Sequence, residues 1–409
     1  MKKIYLGFLL PFCMYGENLV ELVDLSLHNQ LVKSTQQNID SIKKKYQSVQ
    51  SNYLPNITVG ATYSNTNEET ASTPSSAYTT YANINYIVYD GGKKYAVYNA
   101  YENKIKSANE NLQTLKNDIT LQVISHYFNY YSFIAQKEAK QKEIEQLKAQ
   151  YSRLKRFLDA GTTTNDEVDK IRARVENANV ALHESELNIQ TILHNLQYIV
   201  SKKVILESGS SIDNIFSISD EKRADIKALE YDMKTLLSNA RATKSSSYPI
   251  LSLDNILNKY NLNYHNQNFQ NSAIDSQNIF KVNISWNIFD SGSTTKAYES
   301  EYKKYQALKS KYEYEKNKAN IDLQLAIKSY NISKLKIAST KLALKASIST
   351  YTTIAKKYQN GLVDNIAYLE ALSEKYNAMS FLKKAQYDLE IKKANIIYHS
   401  GKNVWEYIQ

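Results

Sequence analysis

The chain repeats itself at an offset of 200 residues, so whatever it folds into is built twice. Ile87-Val88-Tyr89-Asp90-Gly91-Gly92 returns as Asn287-Ile288-Phe289-Asp290-Ser291-Gly292. The same offset pairs Tyr151 with Tyr351, and Gly161 in Asp159-Ala160-Gly161-Thr162-Thr163 with Gly361 in Gln359-Asn360-Gly361-Leu362-Val363. Upstream, Tyr53-Leu54-Pro55-Asn56-Ile57-Thr58-Val59 is similar to Tyr248-Pro249-Ile250-Leu251-Ser252-Leu253, in a register shortened by a few residues. Ten Gly and four Pro in 409 residues leave few turns, so the elements between them are long. Each half reads helix, strand, loop, strand, long helix, turn, helix, which predicts a mainly α fold with a small β part.

The strands carry a period of two. Ile57, Val59, Ala61 and Tyr63 alternate with Asn56, Thr58, Gly60 and Thr62, and Ala82, Ile84, Tyr86 and Val88 alternate with Asn83, Asn85 and Ile87. Val282, Ile284, Trp286 and Ile288 repeat this against Asn283, Ser285 and Asn287. Residues 250–264 alternate less cleanly, which predicts a bulge there. A soluble sandwich gives the same alternation. Lengths of about ten residues and aromatics near the strand ends (Tyr53, Tyr78, Tyr89, Tyr248, Phe280, Phe289) favour the wall of a membrane barrel.

The helices carry a period of seven. Val168, Ile171, Val175, Ala178, Leu182, Ser185, Ile189, Ile192 and Leu196 follow the 3,4 spacing of a coiled-coil seam. Tyr368, Ala371, Lys375, Ala378, Leu382, Ala385, Leu389, Lys392 and Ile396 form a more polar counterpart, and Ile105, Ala108, Leu112, Leu115 and Ile119 continue the pattern on a longer helix. Residues 93–158 as one helix extend about 100 Å, as do residues 293–358, while 166–201 and 220–247 reach about 54 and 42 Å and match the long helix when stacked. The linker 202–219 then bulges outward, and the first helix, 17–52, closes the two halves on each other.

Met1 to Lys3 followed by the apolar run Ile4 to Tyr15 reads as a secretory signal, cut near Gly16. Cys13 is the single cysteine; Phe12 beside it argues against a lipoprotein box. Its removal leaves neither disulfides nor thiolate metal sites. No later stretch has 18 apolar residues, so passage through a membrane must use strands. The net charge of +10 comes from lysines spread along helices, the pattern of solvated faces and not of a nucleic-acid site. There is no P-loop, and none of the six His stands in a metal-binding pattern; His183 and His194 read as a surface pair. No catalytic residue, cofactor or metal site is predicted.

Four strands cannot close a barrel in lipid, for which about eight is the minimum. Two chains would give a lumen filled by side chains and three would give room for a pore; a conduit favours three.

The aromatic-Asp-Gly-Gly junction at Tyr89 to Gly92, its counterpart Phe289-Asp290-Ser291-Gly292, and the Tyr-x-x-Gly turn from Tyr358 to Gly361 resemble the repeated motifs of the TolC-like outer membrane factor family. The resemblance spans essentially the whole chain after the leader. It implies a homotrimer with a twelve-stranded barrel in the outer membrane, a coiled-coil α-barrel across the periplasm and a mixed equatorial belt, in contact with outer membrane lipids. It also implies a periplasmic adaptor protein and an inner-membrane efflux pump as partners, with no nucleic acid. On that basis 1–16 is the signal peptide; 17–52, 93–201, 220–247 and 293–400 form the α-barrel; 53–92 and 248–292 carry the strands; and 202–219 and 401–409 are equatorial.

The resemblance also assigns roles. The strand-to-helix motif is Asp90, Gly91, Gly92, Asp290 and Gly292; the adaptor-docking turns are Gly161, Thr162, Gly361 and Leu362. The aperture set is Tyr358, Glu370, Glu167 and Asp364. Of two family acids six and nine residues after the turn glycine, the first is Ala367 here and the second is Glu370; the family's Arg two residues after that glycine is Val363. The expected function is passive conduction of drugs, small toxic molecules or metal cations to the exterior. A surface-attached coiled-coil stalk would explain the heptads but not strands placed identically in both halves.

Overall fold

A computed structural model describes residues 16–214 and 221–409. The expected leader with Cys13 lies outside them, Gly16 excepted. The elements are α1 (Leu19–Leu27), α2 (Gln30–Ser51), β1 (Asn56–Asn65), β2 (Ser76–Asp90), α3 (Lys93–Asp159), α4 (Asn165–Val200), α5 (Ala224–Lys244), β3 (Ile250–Asn263), α6 (Gln267–Gln270), β4 (Ser276–Ser285), α7 (Ser293–Gln359) and α8 (Asn365–His399). Among the described residues no helix is long and apolar enough to cross a membrane. The described residues form two compact units, one within Met1–Ser34, Leu112–Ala224 and Lys316–Gln409, the other Thr35–Asn111 and Asp225–Glu315.

The first unit is helical. Its core joins Ile144, Leu147 and Leu154 of α3 to Val168, Ile171 and Val175 of α4 and Leu369, Leu372 and Tyr376 of α8. The α4 heptad positions are buried with Leu182 partly so, because the 3,4 spacing keeps them on one face. On α8 the expected positions Ala371, Ala385 and Ile396 are buried and the other six half-buried, and Leu369, Leu372 and Tyr376 widen the buried stripe beside them. Lys375 is half-buried in that stripe, its ammonium 4.4 Å from the Tyr351 ring centre and 4.8 Å from that of Tyr376, a cation over aromatic faces. The first expected helix is two, because Asn29 ends the turn after α1 and caps α2 by accepting from Val32 N–H at 2.9 Å. Ile212 and Ile408 pair antiparallel, tying the segment after α4 to the C-terminal residues.

The second unit holds an antiparallel sheet in the order β1-β2-β3-β4. The irregularity expected within 250–264 falls on the partner strand: the register slips between Ile87 and Tyr89 of β2, opposite Ser252 and Leu251. The uneven alternation of β3 has another origin, since Ile256 stands on the polar face and Asn255 on the apolar one. The strand expected to reach Ile288 stops at Ser285, which pairs with Ile250, the first residue of β3. Pro249 precedes it and has no N–H to extend the ladder. Below the sheet, Tyr46 packs edge-on to Tyr98 at 5.7 Å, and Tyr98 edge-on to Tyr53 at 5.6 Å.

Candidate functional site

Both strand-to-helix junctions are aspartate caps. The carboxylate of Asp90 accepts from Lys94 N–H at 2.8 Å; that of Asp290 accepts from Gly292 N–H at 3.0 Å and Thr294 N–H at 2.8 Å. Each satisfies backbone donors that the first turn of a 67-residue helix leaves open. The two residues after each Asp take positive φ: Gly91 +70° and Gly92 +86°, Ser291 +55° and Gly292 +82°. A Cβ at Gly91 would lie 2.5 Å from the Ser245 carbonyl oxygen, whereas one at Gly92 or Gly292 meets nothing within 4 Å. Ser291, in the matching place, is exposed.

The two helix turns are geometrically the same turn. Gly161 has φ +69°, its N–H donates to Leu158 O at 2.9 Å, and Thr162 N–H donates to Phe157 O at 2.8 Å. Gly361 has φ +70°, its N–H donates to Tyr358 O at 3.1 Å, and Leu362 N–H donates to Lys357 O at 2.9 Å. This pair of bonds, spanning three and five residues, ends a helix with a left-handed glycine and satisfies its last carbonyls. The Thr162 hydroxyl adds a bond to Phe157 O at 2.9 Å, while Leu362 is exposed.

Around the second turn the side chains of α3, α4, α7 and α8 converge. The Tyr358 ring stacks on Tyr368 at 4.9 Å, and the Arg153 guanidinium lies 5.8 Å from its centre. The Gln150 amide donates to the Tyr358 hydroxyl, and the Tyr351 hydroxyl donates to Gln146 Oε1 at 3.1 Å. Burial raises the Tyr358 phenol above its ordinary value against the opposing effect of Arg153, and burial also raises Tyr368. Glu167 accepts from Asn365 Nδ2 at 3.3 Å and from Lys170 Nζ at 3.0 Å. Tyr358 and Glu167 thus lie in one neighbourhood, without a hydrogen bond between them. Asp166 is held below the usual carboxylate range by the Thr164 hydroxyl first and Lys170 second.

Asp364 caps α8 by accepting from Ala367 N–H at 2.9 Å. Glu370 is exposed and lines a cavity of about 540 Å³ with Arg174, Glu374 and Asn377. Gln150, Arg153 and Asn365 were not among the residues picked out from the sequence. Only Asn365 carried a signal, since the repeat pairs it with Asn165; it is buried, with its Oδ1 lacking a hydrogen-bond partner. No group of three or more metal-ligating side chains occurs among the described residues.

The sequence matches the family model described as outer membrane efflux protein over residues 22–200 and 217–401. No curated protein matches it. Among solved structures, it is similar to the Campylobacter jejuni CmeC outer membrane channel, with TM-score 0.84 and 17% identity, over 94% of this chain and 86% of that one. It is similar to the outer membrane protein VceC of Vibrio cholerae, with TM-score 0.82 and 16% identity, over 94% and 96%. The open-state MtrE outer membrane channel of Neisseria gonorrhoeae gives TM-score 0.80 and 18% identity, over 94% and 89%. At these identities the likeness is one of fold.

Proposed function

The chain belongs to the outer membrane efflux protein family, and from that premise we propose that it is one subunit of a trimeric conduit that carries solutes outward when loaded by an inner-membrane pump and a periplasmic adaptor. It is an outer membrane channel protein extending into the periplasm, and not an enzyme. The observation that carries the conduit reading is the sheet. Its one face bears Ile57, Val59, Leu253, Val282 and Ile284, its other Thr58, Asn83, Asp254 and Asn283, and both edges, β1 and β4, have no strand partner among the described residues. In lipid each bare edge leaves backbone groups without partners, so the edges must meet those of other chains. Three chains give twelve strands, an apolar exterior and a polar lumen. Residues 53–92 and 248–292 are then the outer membrane part and the long helices the periplasmic part.

Cargo belongs to the pump; drugs, small toxic molecules and metal cations all fit a passive path. The two glycine turns are the adaptor's docking points, where a repeated backbone shape offers repeated contacts. Tyr358, Glu167, Glu370 and Asp364 belong to the periplasmic constriction, with Gln150, Arg153 and Asn365 holding the first two in place. The test is purification in mild detergent with mass measurement, followed by reconstitution in planar bilayers. A trimer that conducts is expected. A stable monodisperse monomer with its full strand content, or a trimer without conductance, would remove the reading. Gly161→Val and Gly361→Val should each lower export while the trimer still inserts; unchanged export in both would take the docking role from the turns.

A further inference from the structure

Among the described residues the β-strands hold four charged ones: Asp90, Asp254, Lys259 and Lys281. Asp90 ends β2 and is occupied in capping α3. Lys259, opposite Thr80 and Ser276, shares the apolar face at the loop end of the sheet. That leaves one acid and one base on the polar face, and they are direct partners: Asp254 of β3 stands opposite Lys281 of β4. Side-chain contacts fix the face independently of the alternation. Asn85 Nδ2 donates to Asp254 Oδ1 at 2.5 Å, Asn283 Nδ2 donates to Asp254 Oδ2 at 2.5 Å, and the Tyr260 hydroxyl donates to Gln277 Oε1 at 3.3 Å.

Resting on the conduit reading, we propose that Asp254 and Lys281 form a charge-balanced ring in the pore wall, so that the barrel has no preference for cations over anions. The carboxylate is held still, because an amide from each neighbouring strand engages one of its oxygens. Lys281 sits on the edge strand, exposed, at the same height. Directly paired residues of an antiparallel ladder lie about 5 Å apart, well inside the screening length of about 10 Å at 0.1 M salt. A solute in the lumen therefore meets three neutral dipoles and not a ring of one sign. The rest of that face offers hydroxyls, amides and phenols, among them Thr58, Thr79, Asn83 and Tyr260. Such a wall suits solutes of either charge or none, and it places discrimination by charge outside the barrel.

Removing one partner exposes the other. The test uses the full chain with Cys13→Ala and a reporter cysteine, Asn258→Cys, on the same face as Asp254. Cationic and anionic thiosulfonates are applied from outside to reconstituted trimers at 0.1 M KCl, so the periplasmic constriction does not enter the measurement. Relative to the parent, Lys281→Gln should raise the ratio of cationic to anionic modification rates about fivefold, and Asp254→Asn should lower it about as much, for a local potential near one kT. The double variant should return to the parent value. All differences should collapse at 1 M KCl, where the screening length falls to about 3 Å. Single variants that leave the ratio unchanged, or shift it in the same direction, overturn the proposal, as does a reporter that neither reagent reaches in a conducting trimer. A parent that does not conduct overturns the channel reading itself. Lys281→Gln, at an exposed edge position, decides the matter alone if Asp254→Asn fails to assemble.

Discussion

Gly91 is held by two separable constraints, a left-handed backbone and a close carbonyl. Gly92 has only the first. A left-handed residue with a Cβ costs about 1–2 kcal/mol, and forcing a methyl to within 2.5 Å of Ser245 O adds about 1–3 kcal/mol of overpacking. Gly91→Ala should therefore lower the melting temperature of the detergent-solubilised protein more than Gly92→Ala. Equal losses would mean that the Ser245 turn gives way without cost. The second junction makes the same distinction: Ser291 has φ +55° yet is exposed, so a side chain is tolerated there. Asp364 is the other residue with a narrow role. Asp364→Ala should cost about 1 kcal/mol as a lost cap, read as faster amide exchange in the first turn of α8, whatever its effect on conductance.

Along α4 the heptad register decides what each leucine is for. Leu196 is 0% exposed and Leu187 68% exposed. Leu196→Ala should cost about 2–5 kcal/mol as a buried truncation, while Leu187→Ala should leave the subunit's own stability within about 0.5 kcal/mol of the parent; chemical denaturation measures both. The tyrosines around the α7–α8 turn make a prediction about pH. Burial raises Tyr358 above its ordinary 10.0 and raises Tyr368 as well. The fold thus favours the neutral phenols, so their contribution is complete below pH 10 and is lost as pH rises through the raised values. Near-ultraviolet circular dichroism should hold to pH 10 and decline beyond it, and the paired change Tyr358→Phe and Tyr368→Phe should move that decline to higher pH. A decline that does not move would place the alkaline transition elsewhere.

At the scale of the molecule, one chain leaves apolar surface bare that water does not favour. Ile321, Leu325, Ile332, Leu335 and Leu342 of α7 are each 55–70% exposed and follow steps of three, four and seven residues along one face. A stripe of this kind is a coiled-coil seam without its partner. Leu335→Glu with Leu342→Glu should leave helical content intact by circular dichroism and convert the proposed trimer to monomers in mild detergent. If the variant stays trimeric and loses export, the stripe faces the proposed adaptor instead.

Legible in the sequence were the duplication, the order of the strands and long helices, the two periodicities, the motif residues Asp90 and Asp290 and the turn glycines Gly161 and Gly361. Each of these is a local property: a strand's alternation, a helix's repeat or a residue's tolerance of positive φ depends on a few neighbours along the chain. Four results were decided only in three dimensions. They are the strand limit at Ser285, the register slip at Ile87, the burial of Leu369, Leu372 and Tyr376 beside the expected stripe on α8, and the joining of Gln150, Arg153 and Asn365 to Tyr358 and Glu167. Each depends on partners far away in sequence. A ladder ends where the neighbouring strand begins, and the half-burial of Lys375 depends on the Tyr351 ring that α7 sets against it. The pairing of Asp254 with Lys281 is of the same kind. Their charges stand in the sequence, 27 residues apart, but that they cancel on one face follows from register, which only the folded sheet fixes.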